Sequence, residues 1–249
     1  FMIIPVGAAT FSEAIRIAVE VYRALKEYLK RTYGPSAVNV GDEGGFAPPM
    51  REVREALVAL AKAISEAGYR VGEDVVMALD VAASQICRDG SYVVDGRTLS
   101  AEDLLELYVD LVSEFPVVSI EDPFSEEQPL YFRELRSRLR GKAMIVGDDL
   151  TVTNAELISR HLAESTIDGA IIKINQVGTF TEAERAIDTL RYLGGKAIVS
   201  HRSGDSEDVT IAHIAVAYGT GLIKAGAPAR GERTSKYNEL LRIEDYLSG

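Results

Sequence analysis

The sequence predicts an α/β fold in which parallel strands alternate with helices and the sheet closes into a barrel. Short apolar runs rich in β-branched residues recur along the chain, and segments with helical periodicity separate them. Such near-continuous apolar strands are typical of a parallel sheet covered by helices. Nearly every predicted strand is followed by a polar or ionisable residue, the pattern of a barrel that uses its whole carboxyl-terminal rim. An open doubly wound sheet would gather such residues at one switch point.

The chain opens with one predicted strand and two predicted helices before the alternation begins. The strand covers residues 1–6, and the first helix runs from a cap at Thr10 or Ser12 to about Tyr33. A glycine-rich loop then leads to a second helix over residues 50–67. Six further strands are predicted over residues 75–79, 117–120, 143–146, 170–174, 197–200 and 222–225. Helices are predicted over residues 101–114, 126–140, 155–164, 181–193, 209–218 and 234–247.

This count falls short of a complete barrel by one strand. A closed barrel of this type has about eight strands, and roughly seven are predicted here. An Asp89-Gly90 turn between short β-prone runs predicts a hairpin over residues 85–98, inserted after the strand that ends at Asp80. No linker or low-complexity tract divides the chain, so we expect a single domain over residues 1–249.

Composition excludes several classes of partner. The chain is 47% apolar, and no apolar run approaches the roughly 18 to 20 residues that a membrane span needs. A net charge of −11 argues against a nucleic-acid surface but leaves room for a local basic pocket. The single cysteine, Cys87, excludes an intrachain disulfide framework and suits a reducing compartment, so a cytoplasmic location is expected.

Three predicted strands end at carboxylates, and together these indicate a metal site. The strand over residues 117–120 stops at Glu121 and Asp122, and Pro123 prevents its continuation. Asp80 and Asp148 end two other strands in the same way, whereas Asp122 is interpreted as a neighbour that orients the loop. Three gathered acids would repel one another without a cation. Carboxylate-only ligands favour Mg²⁺ over Zn²⁺.

Two simpler interpretations of the strand-end acids stay open. A single polar residue after a strand is more often a helix cap or a turn residue. The three acids are also explained if they form salt bridges with nearby lysines.

Cations also follow predicted strands. Lys173 ends the strand over residues 170–174, and burying its ammonium group is costly unless its pKa falls or a counter-charge lies close. It is therefore a base, a Schiff-base former or a structural ion-pair partner, and these alternatives stay open. Arg202, between Ser200 and Ser203, has the donors for a phosphate, and Lys224 adds another cation. This set suits a small substrate with several negative charges.

A glycine-rich loop over residues 41–45 carries a further candidate. Glycines on both sides of Asp42-Glu43 let the backbone bring Glu43 into the mouth of the barrel, where a carboxyl group could serve as a general acid. His161 and His213 lie on predicted helices and are interpreted as packing or surface residues. Cys87 is interpreted as an ordinary hairpin residue.

Seven stretches of the sequence resemble motifs of the enolase family. They occur in family order over the whole chain, and together they are highly specific. The stretches are GDEGGFAP (41–48), ALDVAAS (78–84), SIEDPF (119–124), GDDLTVTN (147–154), IKINQVGT (172–179), SHRSG (200–204) and IKAGAP (223–228). The resemblance implies a TIM-like enolase barrel and a homo-oligomeric glycolytic or gluconeogenic lyase. Its reaction would be the reversible, Mg²⁺-dependent dehydration of 2-phosphoglycerate to phosphoenolpyruvate.

The resemblance also implies a role for each strand-end residue. Asp80, Glu121 and Asp148 would hold the metal. Lys173 would take the proton from the carbon next to the substrate carboxylate, and Glu43 would protonate the departing hydroxyl. The remaining roles concern the anionic groups of the substrate: His201, Arg202 and Ser203 would hold the phosphate and a covering loop, and Lys224 would help bind the carboxylate.

The sequence also departs from the family pattern. Family members carry a smaller N-terminal capping domain, a first barrel strand followed by a substrate-loop histidine, and a Gln-Glu pair just before the residues equivalent to Phe1-Met2. These features do not occur in residues 1–249. We therefore expect a barrel that lacks its first strand, has two unsatisfied edges and is inactive on its own.

Three other functions are alternatives to the enolase reaction. The chain could be a truncated, inactive enolase fragment that acts as an interaction module. A Schiff-base aldolase that uses Lys173 is a second rival. An acid-sugar dehydratase of the same superfamily is the third, although residues 200–204 and the Glu43 loop match enolases more closely.

Overall fold

The computed structural model describes residues 1–249 and contains ten strands and nine α-helices. The strands are β1 (Met2–Ile4), β2 (Val76–Asp80), β3 (Cys87–Arg88), β4 (Ser91–Val94), β5 (Arg97–Leu99), β6 (Val117–Glu121), β7 (Met144–Gly147), β8 (Gly169–Ile172), β9 (Lys196–Ser200) and β10 (Ile223–Lys224). The helices are α1 (Phe11–Tyr33), α2 (Val53–Glu66), α3 (Ala101–Glu114), α4 (Pro129–Arg138), α5 (Ala155–Ala163), α6 (Ile174–Val177), α7 (Phe180–Leu193), α8 (Thr210–Ala217) and α9 (Gly231–Ser248). None of these helices is both long and apolar enough to span a bilayer.

The residues form two compact units. The first unit contains residues 1–2 and 77–199, and the second contains residues 3–76 and 200–249. In the first unit β2, β6, β7, β8 and β9 pair side by side in that order, and every pair is parallel. The predicted α/β class with parallel strands and intervening helices is therefore confirmed.

Local sequence explains where the helices of the first unit begin. Ser100 precedes α3 and forms a reciprocal capping box with Asp103. Asn154 precedes α5 and accepts hydrogen bonds from two backbone amides of the first turn, and Thr179 caps α7 through Glu182 N. Of these caps, Asn154 ends the loop that leaves β7, so the start of α5 is set close to the candidate residue Asp148.

An aromatic cluster holds the chain just beyond β6. Phe124 is fully buried, and the rings of Tyr92, Tyr108 and Phe132 meet it edge-on. The Tyr108 hydroxyl donates to Pro123 O at 2.7 Å. The carboxylates at the end of β6 are therefore followed directly by a rigid segment.

The insertion after β2 differs from the predicted hairpin because it has three strands. β3, β4 and β5 form an antiparallel sheet. The predicted turn is present, with Asp89 at φ 50° and Gly90 at φ 78°. A second Asp-Gly turn at Asp95-Gly96, with φ values of 52° and 70°, adds the third strand. The prediction was wrong because it used only one of the two Asp-Gly signals.

The predicted strand over residues 170–174 is two residues too long. β8 ends at Ile172, and Lys173 lies immediately before the short helix α6. The Lys173 amide donates to the Thr153 hydroxyl at 2.9 Å instead of joining the sheet. This side-chain acceptor turns the chain out of the strand, which apolar periodicity alone does not reveal.

The second unit is built around helices. α1 packs against α2, and α9 packs against α1 and α8. Tyr22 of α1 stacks on Phe46 with ring centroids 4.4 Å apart, and its hydroxyl donates to Gly44 O at 2.7 Å. These contacts anchor the glycine-rich loop that carries Glu43.

A glycine in β8 offers a test of the strand pairing. Gly169 pairs with Lys196 of β9, and a Cβ added at Gly169 would lie 2.5 Å from Lys196 O. Because both atoms belong to paired strands, Gly169→Ala should lower the free energy of unfolding by about 1–3 kcal/mol, measured by chemical denaturation. Gly45→Ala is the control, since no atom lies within 4 Å of its added Cβ. Equal losses in the two variants would contradict the explanation.

Candidate active site

Three carboxylates lie at the carboxyl ends of three neighbouring strands in the first unit. Asp80 of β2 and Glu121 of β6 are direct register partners, and Asp148 follows the last residue of β7. Glu121 and Asp148 are buried, whereas Asp80 is exposed. Because carboxyl ends of adjacent parallel strands meet at one edge, the strand order brings these acids to the same side of the sheet. Their role as metal ligands stays a prediction.

Asp148 has one oxygen in an ion pair and one without a partner. Its Oδ2 pairs with Lys173 Nζ, and the side chains are only 11% and 16% exposed. Its Oδ1 is buried and accepts no hydrogen bond. A buried carboxylate oxygen without a partner is costly unless a ligand satisfies it. The oxygen-only donor set and this orphaned atom therefore fit a hard divalent cation.

A second acidic grouping includes Asp149, a residue that was not among the predicted metal ligands. Carboxylate oxygens of Asp122, Asp148 and Asp149 lie within 4.8 Å of one another. Asp122 accepts the backbone amides of Asp148 at 2.9 Å and Asp149 at 2.7 Å, so it holds the loop after β7. Burial raises the pKa of Asp122 to about 7, although these amide hydrogen bonds act in the opposite direction. The adjacent Asp148-Asp149 pair was the sequence signal for this grouping.

Thr153 positions the backbone of Lys173, and it was also not among the predicted site residues. Besides accepting the Lys173 amide, its hydroxyl lies 2.9 Å from Gln176 Oε1. Val152 and Thr153 adopt left-handed conformations, with φ values of 42° and 58°. These values are outliers for β-branched residues, so the loop stores backbone strain beside the Lys173–Asp148 pair.

Glu43 and His201 meet in the second unit. His201 is buried, and its Nε2 lies 3.5 Å from Glu43 Oε2. The hydrogen bond from His201 lowers the pKa of Glu43 to about 2, with smaller contributions from the charges of Lys224 and Arg233, while burial opposes the shift. Glu43 is therefore held as a carboxylate in this arrangement.

Backbone contacts place the Glu43 loop. Glu43 O accepts the Ala227 amide at 2.9 Å. Gly226 has a φ of 85°, and a Cβ there would lie 2.8 Å from Glu43 O. The glycine of the IKAGAP stretch is thus required for the close approach of these two loops.

The predicted anion-binding residues surround His201 in the second unit. The His201 amide donates to Lys224 O at 2.9 Å, which joins the SHRSG segment to β10. Ser200 is buried and donates to His201 O, whereas Ser203 is exposed and Arg202 and Lys224 are partly exposed. Cations and a hydroxyl that reach solvent suit recognition of an anionic group. Phosphate and carboxylate binding by these residues stays a prediction.

Two residues of α9 are buried cations that were not predicted from the sequence. Arg233 and Lys236 are each only 1% exposed. They lie three residues apart on the face that also buries Leu240, so charged residues occupy positions where helical periodicity calls for apolar ones. This mismatch between charge and helical periodicity was the sequence signal that could have identified Arg233 and Lys236.

Comparison with known proteins gives a consistent result over the whole chain. A family model described as "Enolase, C-terminal TIM barrel domain" matches residues 1–249. The chain is 53% identical over 247 residues to a protein named enolase from Aeropyrum pernix, covering 99% of this chain and 57% of that relative. It is 51% identical over 251 residues to an enolase from Pyrococcus furiosus, covering 100% of this chain and 58% of that relative. The chain thus spans somewhat more than half the length of these curated relatives.

The orphaned oxygen of Asp148 leads to a metal-binding test. Asp148→Asn removes the carboxylate charge, so the affinity for Mg²⁺ in isothermal titration calorimetry should fall at least about tenfold, or about 1.4 kcal/mol. Asp110→Asn, an exposed substitution on α3, should leave the affinity unchanged. Equal affinities for Asp148→Asn and the unsubstituted chain would contradict the site.

The Glu43–His201 contact leads to a pH test. The pKa of Glu43 falls from its ordinary value of 4.5 to about 2 in the folded chain. The carboxylate therefore stabilises the fold above about pH 4.5, and this contribution is lost as the pH falls towards 2. Glu43→Gln should show a shallower acid decline in the free energy of unfolding, measured by denaturation at several pH values.

The expected difference is modest because the Glu43 side chain is 45% exposed and therefore screened by solvent. Glu27→Gln, an exposed change on α1, should retain the acid decline of the unsubstituted chain. Identical acid profiles for Glu43→Gln and the unsubstituted chain would refute the contact.

Proposed function

The chain belongs to the enolase family, and from this we propose that it carries the lyase site that interconverts 2-phosphoglycerate and phosphoenolpyruvate. The observation that carries the proposal is the Asp148–Lys173 pair. A buried carboxylate with one oxygen that has no hydrogen-bond partner lies beside a partly buried lysine, as expected for a metal-assisted proton abstraction next to a carboxylate. A lysine base with magnesium is the general pattern of enolase-superfamily sites.

The three strand-end acids would hold the metal ion. Asp80, Glu121 and Asp148 supply oxygen ligands, and Asp122 would keep the loop of Asp148 in place through its two amide hydrogen bonds. Bound Mg²⁺ would stabilise the extra negative charge of the enolate that forms when the proton leaves.

Lys173 would accept the proton at its Nζ atom in the neutral form of the amine. Its backbone is fixed by Thr153 and its side chain by Asp148, so the nitrogen has a defined position. Such positioning is what a general base needs, since proton transfer requires a short and well-aligned approach. A Schiff-base role is the alternative for the same amine, and membership of the enolase family favours the general base.

Glu43 would give its proton to the departing hydroxyl, so that the C–O bond breaks and water leaves. As a carboxylate with a pKa of about 2, it must first gain a proton. Negative charge brought by the substrate would raise its pKa and so favour the protonated form. Ser200, His201, Arg202, Ser203 and Lys224 are proposed to bind the phosphate and carboxylate groups of the substrate.

The biological setting follows from the same proposal. We place the chain in glycolysis or gluconeogenesis, in the cytoplasm and in a homo-oligomer. Because it spans 57% of the Aeropyrum pernix relative, we expect the remainder of the protein to be needed for turnover. An inactive interaction module is the alternative.

An experiment with a chimeric protein would distinguish the lyase function from the inactive interaction module. The chain would be joined to the part of the Aeropyrum pernix enolase outside the matched region, and phosphoenolpyruvate formation would be followed by absorbance with Mg²⁺ present. We expect activity in the chimera and none in the chain alone. Lys173→Met in the chimera should lower kcat by about 10²–10⁴-fold, the usual contribution of a general base.

Lys142→Met is the matched control, because Lys142 is exposed and lies outside the candidate site. A folded, Mg²⁺-binding chimera without activity would favour the interaction module. An active chimera in which Lys173→Met has no effect would remove Lys173 from the mechanism.

A further inference from the structure

Arg233 connects the two loops that carry His201 and Glu43. Its Nη1 donates to Arg202 O at 2.7 Å, and its Nη2 donates to Ser203 O at 2.6 Å and to Asp42 O at 3.2 Å. A buried guanidinium is tolerated only when its donors are satisfied. Three carbonyl groups from two loops meet that requirement, so the position of each loop depends on the same side chain.

The fourth contact of Arg233 is with the imidazole ring of His201. Nη1 lies 2.5 Å from His201 Nδ1. A guanidinium group has only donors, so Nδ1 must be the acceptor and the ring proton must lie on Nε2. Nε2 is the nitrogen that faces Glu43 Oε2 at 3.5 Å.

We propose that Arg233 is a positioning residue that holds His201 in the Nε2–H tautomer and so directs this N–H at Glu43. The role deepens the proposed function, because it sets the hydrogen bond received by the residue assigned there as the acid. Arg233 touches neither substrate nor metal in this scheme; it acts through His201.

Gly226 lies beside both Arg233 and Glu43, where there is no space for a side chain. A Cβ at Gly226 would lie 2.8 Å from both Arg233 Cδ and Glu43 O, so the glycine makes room for both groups. Arg233 Nε is buried without a hydrogen-bond partner. Its two terminal nitrogens make the four contacts described above, and Nη1 also lies 3.9 Å from Asp205 Oδ2.

Lys236 provides a matched comparison. It is as buried as Arg233, lies one turn further along α9, and donates to Ser206 O and Glu232 O. It also pairs with Asp205 at 3.4 Å. Lys236 therefore supports the same loop without contacting His201, so its loss tests structural support separately from tautomer control.

The test is a ¹⁵N imidazole spectrum of the labelled chain at neutral pH. The chain has only three histidines, and His201→Gln identifies the signals of His201 by their disappearance. In the unsubstituted chain we expect a protonated Nε2 and an unprotonated Nδ1. Arg233→Met should produce a mixture with protonated Nδ1, whereas Lys236→Met should keep the original tautomer.

Two results would overturn the proposal. One is a proton on Nδ1 of His201 in the unsubstituted chain, a measurement that needs no substitution and stands even if Arg233→Met fails to fold. The other is a folded Arg233→Met variant that keeps Nε2–H alone. Because the spectrum needs no turnover, an inactive chimera with the expected tautomer would reject the lyase function and leave the role of Arg233 in place.

Discussion

The requirement that a buried charge meet a partner organises the candidate residues of each unit. In the first unit, Lys173 neutralises one oxygen of Asp148 and leaves the other without a partner. In the second unit, the buried guanidinium of Arg233 is satisfied by loop carbonyls and by His201. An uncompensated buried charge costs several kcal/mol, on the order of a protein's whole stability. The loops therefore adopt the conformations that supply these partners.

Rigid supports surround the charged residues. The Phe124 aromatic cluster follows the acids of β6, and the left-handed Val152 and Thr153 precede α5 and contact the Lys173 backbone. Local strain of this kind persists only where neighbouring contacts overdetermine the backbone. It places side chains more narrowly than a relaxed loop would, which is what a site for proton transfer requires.

Membership of the enolase family suggests a chemical role for the charged residues, and the two units supply different ones. The first unit supplies the strand-end acids and the proposed base, Lys173. The second supplies Glu43 with its histidine partner and the cations proposed to bind substrate anions. Glu43 illustrates how environment sets a role: His201 lowers its pKa to about 2, so the proposed acid depends on substrate charge to regain a proton.

The sequence alone determined the α/β alternation, the stop after β6 and the Asp89-Gly90 turn, because apolar runs, a stopping proline and Asp-Gly pairs act over a few residues. Tertiary structure decided the end of β8, where a hydroxyl 20 residues away captures the Lys173 amide. It also decided the partners of Arg233, which lie 32 residues away at His201 and 191 residues away at Asp42. Local periodicity carries no information about such contacts. They exist only once the folded chain excludes water and each buried donor must find an acceptor.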